Sequence, residues 1–145
     1  MFTRDATTRW TGGLHDGSGS VVMDSSGTAG FTVTTPRRFG DPDGQTSPEE
    51  LVAAAHSACL AMNLSGVLGS QDLVADHIDV SSEVTLGKDA DDAWAITGIA
   101  VTLRAAVPGL DAERFAELAA TAERTCPVSK VLAGTTITLD AALDS

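Results

Sequence analysis

A chain of 145 residues with 43% apolar residues is most simply one domain, residues 1–145, large enough to bury a real core. Its formal net charge is -11, with only nine Lys and Arg and no basic run, so it has the wrong sign for a phosphate backbone and nucleic-acid binding is disfavoured. No stretch approaches the about 20 apolar residues of a membrane span, and Met1-Phe2-Thr3-Arg4-Asp5 opens no signal-peptide apolar run, so no membrane role and a cytoplasmic location are expected.

The first third reads as β. Thr7–Thr11 alternates, and Gly12-Gly13 breaks it. Ser20–Met23 and Thr28–Thr34 follow, divided by a Ser-Ser-Gly turn signal. Pro36 ends the β run, and 37–46 is expected to be a loop, rich as it is in turn formers. Ser47-Pro48-Glu49-Glu50 then starts a helix: Ser at the N-cap, Pro at N1 and Glu at N3 make a capping box. The helix runs to about Leu68, with Gly69 as its C-cap. It is apolar nearly all round, which suits burial in a core or against another helix. Ile78–Leu86 and Trp94–Leu103 are paired strands across a polar turn at 88–92. Asp111 caps an amphipathic helix that stops near Thr125, because Cys126 precedes Pro127. A short helix over 127–132 and a final strand over 135–143 complete an α+β order with mainly antiparallel sheets.

Two cysteines, Cys59 and Cys126, are the only thiols of the chain, so they can form only one intramolecular disulfide. Structural disulfides are rare in a reducing compartment, which turns attention to redox chemistry. A metal is not expected, because the pair lacks a CxxC and the three His are scattered. Cys59 lies mid-helix among Ala and Leu, where a small buried hydrophobe is the plain reading. Burial there raises a thiol pKa, so a working nucleophile needs a cation. Cys126 opens the short helix at its N-cap, where free N–H groups favour a thiolate; its plain reading is a turn cysteine. Glu49 and Glu50 have capping explanations, and Arg37 and Arg38 are ordinarily solvated loop charges. His56 shares the face of Cys59 one turn earlier; it either tunes the thiol or packs in the core. Glu49 and Cys59 stand about ten residues and 15 Å apart along one helix. They would meet only if two copies of the helix packed antiparallel about a two-fold axis.

Thr46-Ser47-Pro48-Glu49-Glu50-Leu51 running into Ala54-Ala55-His56-Ser57-Ala58-Cys59 closely resembles the first-cysteine helix of the OsmC/Ohr family of thiol-dependent peroxidases. Cys126-Pro127-Val128-Ser129-Lys130-Val131-Leu132 resembles its second motif. Spacing and element order match over essentially the whole chain. His56 before Ser-Ala-Cys, and an Arg-Phe pair before the helix, look like the OsmC branch.

The resemblance implies an OsmC-like α+β fold, with antiparallel sheets wrapped around central helices in an intertwined homodimer and active sites at the interface. It implies peroxide reduction without cofactor or metal. By position, Cys59 matches the peroxide-attacking cysteine, Cys126 the resolving one and Glu49 the carboxylate that holds the catalytic arginine. Arg38, just before Phe39, best matches that arginine, with Arg37 its neighbouring competitor; the loop from Arg38 to Glu49 is one residue longer than the family pattern. The expected chemistry is a Cys59 sulfenic acid that condenses with Cys126 to a disulfide. A dithiol reductant resets the pair, and the resemblance suggests dihydrolipoamide or a lipoylated protein. The apolar neighbours Leu60, Met62, Phe39 and Leu132 point to an organic hydroperoxide, with hydrogen peroxide also accepted. The alternative is a non-enzymatic redox-sensing or stress protein switched by the same disulfide.

Overall fold

The computed structural model describes residues 1–144 and divides into two compact units, Met1–Leu51 and Val52–Ser145. In the first, β1 (Thr7–Thr11), β2 (Ser18–Val22) and β3 (Gly30–Val33) form an antiparallel sheet in that order. Gly12, at φ 90°, supplies the left-handed residue where β1 turns toward β2. After β3 the sequence led us to expect only a loop. Instead α1 (Thr35–Phe39) forms, because Pro36 sits in its first turn, where a fixed φ and a missing N–H are harmless.

Helix α2 (Pro48–Gly69) starts where the capping signal predicts: Glu50 N–H donates to Ser47 Oγ at 3.1 Å. The Glu50 carboxylate, rather than closing the capping box, accepts from Thr46 Oγ1 at 2.7 Å. Gly69 is the last helical residue, but the left-handed position beyond it falls to Asp72, at φ 56°.

The second unit contains β4 (His77–Lys88), β5 (Trp94–Ala106) and β6 (Ile137–Leu143). β4 and β5 pair antiparallel; β5 and β6 pair parallel. A parallel partner needs a crossover, which α3 (Ala112–Thr125) and α4 (Pro127–Val131) provide. Asp111 caps α3 through Arg114 N–H. Asp89 holds the β4–β5 turn by accepting from the N–H groups of Asp91 and Ala93.

The core of this unit is assembled by periodicity. β5 contributes Ile99, Val101, Leu103 and Ala105, every second residue. α3 contributes Phe115, Leu118, Ala119 and Ala122, and α2 contributes Leu60, Leu64 and Leu68. The other side of α2 is open: Ala54, Ala55, Ala58, Ser65 and Gly66 are exposed, and Met62 is 76% exposed. By length and composition α2 is also apolar enough to cross a membrane. That corrects the expectation that no stretch approaches a span; its leucine row nevertheless packs in the protein core.

Candidate active site

The fold brings together two groups of the residues singled out in the sequence. In the first unit, α1 presents Arg38 to Glu49 in the first turn of α2. Arg38 Nη2 donates to Glu49 Oε1 at 2.6 Å, and Nε donates to both carboxylate oxygens at 3.2 Å. Such a fork fixes the guanidinium in direction as well as position. Glu49 is nearly buried. Burial works against its charge, but the Arg38 hydrogen bonds, its own backbone N–H, the Arg38 charge and Ser47 together hold its carboxyl below the ordinary 4.5. The sequence reading has Glu49 reach Cys59 only across two copies of the helix; within one chain Glu49 pairs with Arg38, because α1 turns Arg38 back toward the start of α2.

Arg37 goes elsewhere. It is bound by Asp43 at 2.6 Å and by the Asp41 carbonyl at 3.3 Å. Of the two adjacent arginines, Arg38 is therefore the one that meets Glu49. Its guanidinium also stacks over the half-exposed Phe39 ring, 5.6 Å from the centroid. Beside Arg38 lies a pocket of about 390 Å³, lined by Trp10, Leu14, Val33, Thr34, Thr35 and Pro48. The sequence had pointed to Leu60, Met62, Phe39 and Leu132 as apolar company. Leu60 is instead wholly buried in the core.

In the second unit, Cys126 Sγ lies 3.2 Å from Cys59 Sγ, and both are free thiols. Cys126 is fully buried and Cys59 half-buried. Burial and the neighbouring Cys126 push the Cys59 thiol up, against a smaller pull from the Val128 N–H. Cys126 goes the other way. Burial raises it, but the Ser129 backbone N–H, Cys59, the Ser129 hydroxyl and the Val128 N–H outweigh burial and draw it down. Its side chain makes no capping hydrogen bond of ordinary length, so these are longer polar contacts around the sulfur. The N-cap position expected from the sequence thus makes Cys126 the readier thiolate of the resting pair.

Two side chains frame the thiols. Asn63, one turn beyond Cys59, donates to the Ala122 carbonyl at 2.6 Å and to Thr125 Oγ1 at 2.8 Å. It thereby satisfies the end of α3 immediately before Cys126. His56, fully buried, has Nε2 2.9 Å from Ser129 Oγ and Nδ1 3.3 Å from Ser82 Oγ. Burial lowers its pKa, and the charge of Glu123 opposes that shift. Asn63, Ser82 and Ser129 were not selected from the sequence; no local pattern marks a polar residue whose partner is remote. Elsewhere His77, Asp79 and Asp144 converge on an exposed edge, where His77 Nε2 meets Asp144 at 2.7 Å. The Asp144 hydrogen bond is the main cause that raises the His77 pKa.

Two thiols with sulfurs 3.2 Å apart can close to a disulfide with little movement. An arginine fixed by a carboxylate supplies a directed cation. The family model for OsmC-like proteins matches residues 40–140. Peroxiredoxin OsmC of Escherichia coli (strain K12) is 40% identical over 136 residues, 94% of this chain and 93% of that protein. An organic hydroperoxide resistance protein of Xanthomonas axonopodis pv. citri (strain 306) is 33% identical over 104 residues, 70% of each. The crystal structure of the organic hydroperoxide resistance protein OhrB of Bacillus subtilis superposes with a TM-score of 0.75 at 30% identity, covering 99% of this chain and 98% of that one.

Proposed function

The chain belongs to the OsmC-like family, and from that premise we propose that it is a thiol-dependent peroxidase that reduces organic hydroperoxides, and hydrogen peroxide with them. The observation that carries the reading is the Cys59–Cys126 pair at 3.2 Å, formed by the two motifs that define the resemblance. Relatives named as a peroxiredoxin and as organic hydroperoxide resistance proteins support it.

The Cys59 thiolate attacks one oxygen of the peroxide. The O–O bond breaks, an S–O bond forms, and the alkoxide leaves as an alcohol after taking a proton. Cys59 is now a sulfenic acid. The Cys126 thiolate attacks its sulfur; the S–S bond forms as the S–O bond breaks, and hydroxide leaves to become water. A dithiol then reduces the disulfide by exchange, and a lipoylated protein is the class of reductant we favour.

Cys59, pushed up by burial, needs a cation to attack at neutral pH. Arg38, held by Glu49, is that cation. About ten residues of helix rise put Glu49 about 15 Å along α2 from Cys59. The Arg38–Glu49 pair that serves a given Cys59 is therefore that of a second copy, in a homodimer with α2 packed antiparallel about a two-fold axis. The open side of α2 fits that role. The pocket beside Arg38, walled by Trp10, Leu14 and Val33, gives an alkyl tail somewhere to go, and such a wall favours an alkyl over a bare hydroperoxide roughly 10–200-fold.

The test is peroxide consumption with excess dithiol. Many equivalents per chain, lost on Cys59→Ser, are expected. A single stoichiometric burst would replace the enzyme with a redox sensor, and full turnover by Cys59→Ser would remove Cys59 from the chemistry.

A further inference from the structure

The mechanism leaves one buried, titratable side chain unused. His56 is fully buried, Ser129 is 4% exposed, and the two meet at 2.9 Å. On its other edge His56 reaches Ser82 of β4. One row thus crosses from β4 through α2 to α4 and ends beside Cys126. We propose that Ser82, His56 and Ser129 form a positioning relay that aims the Ser129 hydroxyl at Cys126 and so readies this thiol for its attack on oxidised Cys59. The inference rests on the reading of Cys126 as the resolving cysteine.

Donor and acceptor directions can be assigned along the row. Cys126 is the N-cap of the helix that carries Ser129 one turn on; in the relay the Ser129 O–H turns toward that sulfur, beyond ordinary hydrogen-bond length at rest, and Ser129 Oγ is left free to accept. His56 must then carry its proton on Nε2. Nδ1 is left bare and accepts from the Ser82 hydroxyl. Every link donates toward the sulfur, an arrangement in which each hydrogen bond polarises the next. Among the described residues no buried side-chain nitrogen or oxygen lacks a hydrogen-bond partner, so the histidine is held on both edges. It stays neutral because burial lowers its pKa, which leaves Nδ1 able to accept.

The ionisable groups around the relay are few. Cys59 of α2 faces the Cys126 sulfur. Glu123 of α3 is the charge felt by His56. Glu123 and Arg124 of α3 and Lys130 of α4 line, with Ser129, a neighbouring pocket of about 310 Å³; β4 contributes the neutral Ser82. The Ser129 hydroxyl is among the groups that draw Cys126 toward its thiolate. A hydrogen-bonded thiolate loses some nucleophilicity, but the loss is only about half of the gain in thiolate population on a logarithmic scale. The net effect of the relay is therefore faster closure.

The relay is tested by titrating the ultraviolet absorbance of the thiolate in the Cys59→Ser protein, where Cys126 is the remaining cysteine. No peroxide is involved, so the result is independent of whether the peroxidase reading holds. Ser129→Ala is expected to reduce the thiolate fraction at neutral pH roughly threefold, less than the loss of a full hydrogen bond to a charged group would give. His56→Phe, similar in bulk and without polar edges, should shift the titration in the same direction. His56→Gln, whose amide N–H can replace Nε2–H, should restore most of it. If Ser129→Ala and His56→Phe both leave the Cys126 titration unchanged, the relay is wrong. If His56→Phe does not fold, Ser82→Ala takes its place: a smaller upward shift supports the row, and no shift beside an unmoved Ser129→Ala overturns it.

Discussion

Arg37 and Arg38 are neighbours in sequence with different partners. Arg37 makes an exposed pair with Asp43, of a kind worth at most about 1 kcal/mol. Arg38 forks onto a nearly buried carboxylate. Arg38→Ala should lower kcat/KM for a hydroperoxide roughly 10–100-fold, the loss expected when a cation beside a thiol is removed, whereas Arg37→Ala should stay within about twofold. Steady-state assays of the two variants decide between them. Acid should weaken the molecule in two stages. His56 has a folded pKa below its ordinary 6.5, so the unfolded chain takes up the proton first. Stability is full above 6.5 and declines as pH falls toward the folded value. Glu49, held below 4.5, adds a second decline that begins only under that value. Urea midpoints across the pH range should show the earlier decline in the wild type, and His56→Gln should remove it while leaving the later one.

At the scale of elements, α2 and the junction between α3 and α4 present the thiols, and Asn63 ties them where α3 ends. Asn63→Ala removes two hydrogen bonds to the last turn of α3 and should cost about 1–2 kcal/mol. It should also slow disulfide closure after a peroxide pulse, read by loss of free thiols. These are also the features that separate what a sequence displays from what it conceals. The Asp111 cap, the Ser47 cap and the every-second-residue burial of β5 are local rules, visible within a few residues. The cysteine motifs were legible because their spacing is a pattern. α1 was hidden, since Pro36 can close a strand or open a helix and only the following chain decides. Asn63, Ser82 and Ser129 were hidden for another reason. Their partners lie 59, 26 and 73 residues away, and an isolated Asn or Ser in a sequence does not name its partner. The pocket beside Arg38 was hidden likewise, being gathered from β1, the segment after it, β3 and the start of α2.

For the whole molecule, the proposed second copy would cover the side of α2 that one chain leaves exposed. Mixed dimers of Cys59→Ser and Glu49→Ala subunits should concentrate both lesions in one site and leave the other whole, regaining activity up to about half that of a wild-type dimer. Mixed dimers that form and stay inactive would mean that Glu49 holds Arg38 without serving the Cys59 of the second copy. The distance between the thiols along the chain has a further effect. Cys59 and Cys126 are 67 residues apart, so each oxidation ties off nearly half of the polypeptide and each reduction frees it. In the chain-entropy picture such a loop removes about 4 kcal/mol of freedom from the unfolded ensemble, or roughly 10 °C in melting temperature for a domain of this size. A molecule that has just spent its thiols on peroxide would then resist heat and proteases better than one waiting for substrate. Scarcity of reductant would lengthen the life of the protein that oxidation had idled, keeping it in store until reducing power returned.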